Sequence, residues 1–332
     1  MSLLSPLGTV ALAGCTAALC AAAGVYLTVK RFAPGQRFSF VSDLECSRTG
    51  NLFVVDRANS RVVVLSPSGT VVRQIGGAGQ GDRDLLYPSA VSLGSEGTIA
   101  VLDFGNRRVQ LYGPDGRPRG RIPYGTRGVY GLAVTQRGTV LLNEPGAGRL
   151  IYERSREGRL LGSFGRILPV AAIFPNRPAD RYPTEFLNAA DLASDSEGCT
   201  WAVFRFMPVV QRYSPAGQLI WQTRLDGPAV RNMEKIFWGD DGAPSPLRQA
   251  GIRHVRIPYF VFGSTLTGRN NLSIMLGNSV VLVIDRNGRQ VRQAAYRLDA
   301  GSPPVLSMAE HGGRLFFGLP QSVQMTDGDL GF

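Results

Sequence analysis

The chain is poor in the residues that most often build metal and nucleophile sites. It has two histidines, His254 and His311, and four cysteines, no two of which have the C-x-x-C spacing of zinc or redox motifs. Two histidines cannot supply a three-histidine catalytic zinc site. No P-loop, G-x-S-x-G or H-E-x-x-H motif occurs. These absences exclude the nucleotide-binding, hydrolase and zinc-protease classes that carry those motifs.

Lysine is equally scarce. The 36 basic residues include only two lysines, Lys30 and Lys235, and they outnumber 25 acidic residues to give a net charge of +11. This balance favours anionic partners through the summed field of the protein. Arginine binds phosphate and carboxylate in a bidentate manner, but a codon bias towards GC-rich DNA would produce the same surplus without a function.

Charged side chains are absent from Leu3 to Val29, and Lys30 and Arg31 close this run. The run exceeds the roughly 20 residues that cross a bilayer as a helix and the ~7–15 residues of a signal-peptide apolar region. We therefore predict an apolar N-terminal helix within residues 1–32 that anchors the protein in a membrane. The LAGC sequence at Leu12–Cys15 resembles the lipobox of bacterial lipoproteins, and cleavage after Ala21–Ala23 is a third interpretation.

The side of the membrane stays open at this point. The positive charges follow the apolar run, and by the positive-inside rule this places the rest of the chain in the cytoplasm. Large domains behind a single N-terminal apolar segment are, by analogy, commonly exported. We therefore expect an extracytoplasmic protein, periplasmic or extracellular.

The chain repeats one pattern. The stretch VVDRANSRVVVLSPSG at Val54–Gly69 returns as VLDFGNRRVQLYGPDG at Val101–Gly116. Weaker copies begin at Leu141, Ala202, Ile274 and Phe316. Each copy has a short apolar strand, a polar loop, an alternating strand and a turn rich in glycine. With an apolar run before it and a further strand after several copies, the unit has four strands per ~40–50 residues, as in a β-propeller blade.

Six such units predict an all-β, six-bladed β-propeller over residues 33–332, with insertions at 167–183 and 227–255. The second insertion favours a short helix around residues 230–238. The last unit ends before a clear fourth strand, and RFSF at Arg37–Phe40 precedes the first unit without a partner. We predict that the two chain ends meet in one blade and close the ring, which removes exposed strand edges and favours a monomer.

The D-x-x-N-x-R pattern of the first two units, with QIGGAGQGDRDLLYPSAV at Gln74–Val91 between them, resembles the NHL repeat of six-bladed propellers. The pattern residues are Asp56, Asn59 and Arg61 in the first unit and Asp103, Asn106 and Arg108 in the second. A catalytic group is needed once, whereas these residues recur in successive units. We therefore interpret the Asp56/Arg61 and Asp103/Arg108 pairs as structural.

The NHL resemblance implies an RNA-binding platform, a protein-interaction module, a sensor or, less often, an enzyme. Arg57, Arg107 and Arg205 hold comparable loop positions and are expected on one face, where they predict a surface for a protein or an anionic polymer. Nucleic acid is disfavoured because few aromatic residues accompany these arginines. The resulting hypothesis is a membrane-tethered or exported binding module without a catalytic site or cofactor.

The alternative is a propeller lactonase or lyase that depends on a divalent metal. The lactonases related by this resemblance hold calcium with Glu, Asn and Asp, oxygen ligands that calcium accepts. The residues of these types here are Glu45, Asn143, Asn188 and Asp191. Glu45 and Asp191 lie in predicted first strands, which line the channel of a propeller. All four residues are also typical of turns and strand ends, where their side chains would accept hydrogen bonds from backbone amides. The sequence therefore leaves open whether the protein is an enzyme, and we favour the interpretation that it is not.

Overall fold

The computed structural model describes residues 26–125, 128–174, 183–238, 260–268, 270–277, 280–298 and 305–326. These residues form six four-stranded antiparallel blades, which confirms the predicted all-β, six-bladed propeller. Apolar and β-branched residues fill the middle strands of each blade, as in LFVVD and VVLVI, which are buried at every position. Such strands need a neighbouring blade on each side, and the ring supplies both.

In blades 1 to 3 the strands follow the chain from the channel outwards. Blade 1 comprises β2 (Val41–Cys46), β3 (Leu52–Asp56), β4 (Arg61–Leu65) and β5 (Val71–Gly76). Blade 2 comprises β6 (Ala90–Leu93), β7 (Ile99–Asp103), β8 (Arg108–Tyr112) and β9 (Pro118–Pro123). Blade 3 comprises β10 (Gly131–Val134), β11 (Val140–Asn143), β12 (Ile151–Arg154) and β13 (Leu160–Phe164).

Blades 4 and 5 follow the same order. Blade 4 comprises β14 (Ala190–Ser194), β15 (Thr200–Phe204), β16 (Val209–Tyr213) and β17 (Leu219–Arg224). Blade 5 comprises β18 (Val261–Leu266), β19 (Leu272–Leu276), β20 (Val280–Ile284) and β21 (Gln290–Arg297). Blade 6 takes β22 (Ser307–His311), β23 (Arg314–Leu319) and β24 (Ser322–Thr326) from the end of the chain and β1 (Tyr26–Phe32) from its beginning.

The ring is therefore closed by a strand from the N-terminal side of blade 1, but not by the predicted one. β1 pairs antiparallel with β24, from Val29 opposite Thr326 to Phe32 opposite Val323. Its first residues also pair parallel with β21 of blade 5, so that blades 5 and 6 share one sheet. The RFSF stretch at 37–40 is a linker instead.

The prediction of an apolar helix up to residue 32 is wrong over Tyr26–Phe32, since this stretch is β1. The unpaired edge of β24 offers backbone hydrogen bonds to a strand, and the buried Leu27 and Phe32 pack into the last blade. The propeller thus starts ahead of the predicted boundary at residue 33. Residues 1–25, which hold the rest of the predicted anchor, lie outside the described residues. No helix in the described ranges is long and apolar enough to cross a membrane.

The α-helices of the described residues lie in the insertions or directly after the first of them. These are α1 (Val170–Ile173), α2 (Thr184–Leu187) and α3 (Pro228–Trp238). Short 3-10 helices cover Arg57–Asn59 and Pro145–Ala147. α3 lies where the sequence predicts a helix, and its buried Ala229, Val230 and Met233 pack on blades 4 and 5.

The two faces of the ring carry different connections. The described loops between second and third strands, and the described parts of the linkers between blades, lie on the face that we call the mouth face. Hairpins between first and second strands and turns between third and fourth strands lie on the opposite face, the hairpin face. Contacts join these two kinds of turn, since Arg137 in a first hairpin donates to the Pro215 carbonyl at 3.4 Å.

Candidate functional site

A cavity of about 560 Å³ occupies the axis of the ring and is lined by the first strands of all six blades. Successive first strands contact one another around this axis. The cavity extends from Arg57 and Arg205 at the mouth face to Cys46 and Glu310 towards the hairpin face. A concave site with convergent polar groups is where a small ligand is expected in an uncharacterised protein.

Strand β2 contributes two carboxyl groups to this cavity, Asp43 and Glu45. They are two positions apart in the strand, and side chains two positions apart project from the same face. A β-bulge between Val41 and Asp43 shifts the register against β3 just before the pair. Bulges of this kind re-aim the side chains of a strand, and this one lies directly before the carboxyl group nearest the mouth face.

Both carboxyl groups bind the free edge of the next blade. Asp43 accepts a hydrogen bond from the Val91 amide at 2.9 Å, and Glu45 accepts one from the Leu93 amide at 3.1 Å. Burial nevertheless raises the pKa of Asp43 to about 7 and that of Glu45 to about 8, against the lowering effect of these amides. The desolvation of a carboxylate within the ring outweighs one backbone hydrogen bond.

A charged pair faces Asp43 across the axis. Arg205 donates from Nε to Asp191 Oδ1 at 2.7 Å, and both residues line the cavity. The negative charge of Asp191 raises the pKa of Asp43, and Arg205 lowers it. Blades 1 and 4 therefore place a carboxyl group that titrates near neutral pH opposite an ion pair.

The hairpin-face end of the cavity carries Cys46 and Glu310. Glu310 accepts a hydrogen bond from the Gly313 amide at 2.7 Å. Burial, with the charges of Glu310 and Glu45, raises the pKa of the Cys46 thiol. Since the thiolate is the reactive form of cysteine, Cys46 is not an activated nucleophile.

The three arginines predicted to form a binding face are only partly brought together. Arg57 and Arg205 border the cavity, whereas Arg107 lies in the loop between β7 and β8 with a left-handed φ of 51°. The Arg57 guanidinium lies 5.1 Å from the centroid of the Phe104 ring, a cation–π contact. The mouth face also exposes aromatic side chains, namely Phe40, Tyr87 and Phe104.

The two repeat pairs form networks of the same design, each around a fully buried aspartate. Asp56 binds Arg61 at 2.9 Å, and Asp103 binds Arg108 at 2.8 Å. In each network an asparagine donates to the same carboxylate at 2.7 Å, from Asn59 or Asn106. The second aspartate oxygen accepts amides of the preceding linker, those of Ser39 and Phe40 in blade 1 and that of Leu86 in blade 2. Each network ties a linker to its blade and lies outside the cavity lining.

The predicted calcium ligands are divided between two places. Glu45 and Asp191 line the cavity, but Asn143 and Asn188 are buried between blades 3 and 4. Asn143 donates to the carbonyls of Leu150 and Asn188 and accepts the Ala190 amide at 3.0 Å. The Asn188 side chain binds the backbone of Leu168 and Thr184. Both amides are occupied by backbone groups, so this quartet does not fit a calcium ion.

Among the described residues one other group could be considered for a metal. Asp195, Glu197 and Cys199 have ligand atoms within 4.8 Å of one another in the first hairpin of blade 4. Their carboxylates already neutralise the buried Arg212, at 2.7 Å from Asp195 and 2.6 Å from Glu197. Asp195 also accepts the indole N–H of Trp201 at 2.9 Å. The cluster is therefore explained as a structural ion-pair network.

Comparison with known proteins supports the architecture. A family model described as "6-bladed beta-propeller" matches residues 37–121, which hold blade 1 and all of blade 2 except its last two residues. A search of curated protein sequences finds no match. The sequence match thus extends over the two units in which the repeat is clearest.

Solved propellers resemble the whole ring. A streptogramin B lyase superposes with a TM-score of 0.59 at 12% identity, covering 90% of this chain and 97% of the lyase. A catalytically inactive histidine-to-alanine variant of virginiamycin B lyase from Staphylococcus aureus, solved with quinupristin, gives 0.52 at 13% identity over 86% and 80%. A gluconolactonase from Xanthomonas campestris gives 0.51 at 14% identity over 87% and 86%. At these identities the similarity shows the fold alone.

Proposed function

We propose that the central cavity binds a small organic molecule with a carbonyl or carboxylate group and that the protein acts on it as a propeller enzyme, by lactone or ester opening. The observation that carries this proposal is the placement of Asp43 opposite the Asp191–Arg205 pair within one cavity. The structural similarity to a gluconolactonase and to streptogramin lyases supports an enzyme over a purely structural ring.

The roles follow from the electrostatics of the cavity. A pKa of about 7 lets Asp43 exist in both protonation states near neutral pH, which suits a general acid or base. Arg205 can bind a carbonyl or carboxylate oxygen of the ligand and stabilise negative charge that develops there. Asp191 keeps the guanidinium oriented across the axis from Asp43.

Lactone opening is preferred over the chemistry of the neighbouring lyases. The inactive histidine-to-alanine variant indicates that a histidine serves catalysis in that lyase. Within the described ranges this chain has His311 alone, which is not part of the cavity lining. His254 lies outside the described residues.

The experiment is a panel of lactones and esters assayed with the full chain. We expect turnover with a limb near pH 7, loss of turnover in Asp43→Asn, and unchanged turnover in the matched control Asp82→Asn, whose side chain is 73% exposed on the surface. Calcium or a chelator should leave both the rate and the melting temperature unchanged. Turnover that persists in Asp43→Asn, or that requires calcium, contradicts the proposed role of Asp43.

A second candidate is a non-catalytic binding module of the NHL type. It is favoured by the Arg57–Phe104 contact and the exposed Phe40 and Tyr87, because arginine and large aromatic residues dominate protein-binding surfaces. Binding of a protein or anionic polymer at the mouth face, with no turnover in the panel, would favour this module. In both cases we propose a monomer, since the closed ring has no free blade edge.

A further inference from the structure

Exposed apolar side chains mark the rim of the hairpin face, away from the proposed site. They are pairs at the beginning of three outer strands, Val71 and Val72 in β5, Leu160 and Leu161 in β13, and Leu219 and Ile220 in β17. Each residue is between 39% and 53% exposed. Single apolar residues scattered over a surface are normal and need no explanation. An apolar pair repeated at the same place in three blades is not scattered in this way and calls for one.

These pairs directly follow the turns between third and fourth strands, and those turns lie on the hairpin face. The Arg286 guanidinium of such a turn in blade 5 contacts Glu197 in the first hairpin of blade 4 at 3.4 Å. Gly198 of that hairpin lies beside Pro215, where an added Cβ would be in van der Waals contact with the proline ring at 3.5 Å. The apolar pairs therefore surround the hairpin face.

The uncharged N-terminal run reaches the propeller at the outer strands of blades 5 and 6. β1 is the fourth strand of blade 6, and Val29 opposite Thr326 corresponds to Val71 opposite Leu65 in blade 1. Tyr26 itself pairs with Ala295 of β21, which lies opposite Val280 at the mouth-face end of blade 5, so β1 runs along the rim from blade 5 to blade 6. The run from Leu3 to Val29 continues into β1 without a charged or polar linker, so an anchor within this run would hold the outer strands of the ring close to a membrane.

The charge of the rim is also suited to a lipid surface. Arg117 and Arg119 are exposed in the turn and at the beginning of the outer strand of blade 2, with Arg117 lying 3.7 Å from Asp115. Arg121, further along this strand, is also exposed but pairs with Asp82 of the mouth-face linker at 3.2 Å. Arg159 and Arg289 are exposed in the equivalent turns of blades 3 and 5. Apolar side chains combined with arginines are the composition that binds the interface of membranes with anionic headgroups.

From these observations we propose that the hairpin face lies against a bilayer containing anionic lipid, with the apolar rim in the interface and the mouth of the cavity directed away from it. The proposal rests on the predicted membrane anchor and is independent of the proposed enzyme activity. In this orientation the mouth of the cavity faces the aqueous phase, so a ligand would reach Arg57 and Arg205 from the water and not from the membrane.

The test places a fluorophore on each face of the full chain in vesicles of phosphatidylcholine and phosphatidylglycerol with brominated acyl chains. The labels go on Ala216→Cys in a hairpin-face turn and on Ala58→Cys at the mouth face, both exposed alanines, after the native cysteines are replaced by alanine. We expect the bromines to quench the Ala216 label several-fold more strongly than the Ala58 label.

A matched pair of variants separates surface contact from tethering alone. Leu219→Asp with Ile220→Asp should abolish the difference in quenching while the chain stays in the vesicles, and Tyr87→Asp with Phe104→Asp should preserve it. Equal quenching of both labels overturns the proposal and assigns the apolar rim to a protein contact. A chain that does not associate with the vesicles also overturns it.

Discussion

The carboxyl groups of Asp43 and Glu45 should make the protein less stable as pH rises. Their unfolded pKa values are near 4 and their folded values are about 7 and 8. Between these values the folded protein retains protons that the unfolded chain releases, so unfolding becomes more favourable until the folded groups ionise. Below pH 4 both states are protonated and this penalty is absent.

Replacing the pair by Asp43→Asn and Glu45→Gln should remove that slope. Each pKa unit corresponds to about 1.4 kcal/mol, and because both side chains are partly exposed to the cavity we expect a gain of roughly 2 kcal/mol per group at pH 8. Melting temperatures at pH 4, 6 and 8 provide the measurement, with Asp82→Asn as the control. A variant that is no more stable than wild type at pH 8 would contradict the raised pKa values.

The two repeat networks differ in burial, and their removal should differ in cost. Asp103→Ala leaves Arg108, whose side chain is 6% exposed, without its carboxylate, whereas Asp56→Ala leaves an Arg61 that is 25% exposed. A buried charge that loses its partner costs about 3–5 kcal/mol, and exposure to water reduces this for Arg61. Chemical denaturation should therefore show a larger loss for Asp103→Ala; equal losses would mean that the linker amides, not the ion pairs, matter.

Among the elements, β1 determines whether the ring closes. Phe32 is 5% exposed and packs edge-on against Phe316 with ring centroids 5.1 Å apart. Phe32→Ala should destabilise the propeller by about 3–5 kcal/mol, as for other buried phenylalanines. Val72→Ala, in the outer strand of blade 1 and 48% exposed, is the matched control and should have little effect. A small loss for Phe32→Ala would show that blade 6 is stable without β1.

The strands of blades 1 and 2 could be predicted because strand pattern and turn residues repeat locally. The closing strand could not, since YLTVKRF at Tyr26–Phe32 reads equally as the end of an apolar run. What selects a strand is the free edge of β24, almost three hundred residues away in sequence. RFSF alternates as well, but its amides at Ser39 and Phe40 bind Asp56 instead of a strand.

The site could be predicted only in part, for a related reason. Glu45 and Asp191 line the cavity as expected of first-strand residues. Asp43 and Glu310 were missed, although D-x-E in β2 places Asp43 on the same side as Glu45. Asn143 and Asn188 are polar residues of the expected type, but their partners are backbone groups of blades 3 and 4 that no local pattern identifies. The alternation of side chains along a strand indicates which face of the strand a residue occupies. The group that this residue contacts in another blade depends on the assembled fold.

At the scale of the whole molecule, the net charge is +11, and the described residues include arginines on both faces. On the mouth face Arg205 is neutralised by Asp191 and Arg57 is engaged with Phe104. On the outer strand of blade 2 and its preceding turn, Arg117, Arg119 and Arg121 are exposed. The carboxylates beside two of them, Asp115 at 3.7 Å from Arg117 and Asp82 at 3.2 Å from Arg121, are exposed to water as well, so these pairs are screened. We therefore expect the rim to contribute more of the attraction to anionic surfaces.

Two triple variants compare the faces directly. Changing Arg117, Arg119 and Arg121 to Gln should lower the salt concentration that elutes the protein from an anionic matrix more than changing Arg57, Arg107 and Arg205 to Gln. Both variants lose three positive charges, so a difference between their elution salt concentrations reflects where the charges lie. The attraction itself should weaken with salt, because the Debye length falls to about 8 Å at physiological ionic strength. Melting curves check that both variants fold. If the mouth-face variant loses more affinity, the anionic partner binds beside the cavity, and the binding-module hypothesis gains over the membrane-facing rim.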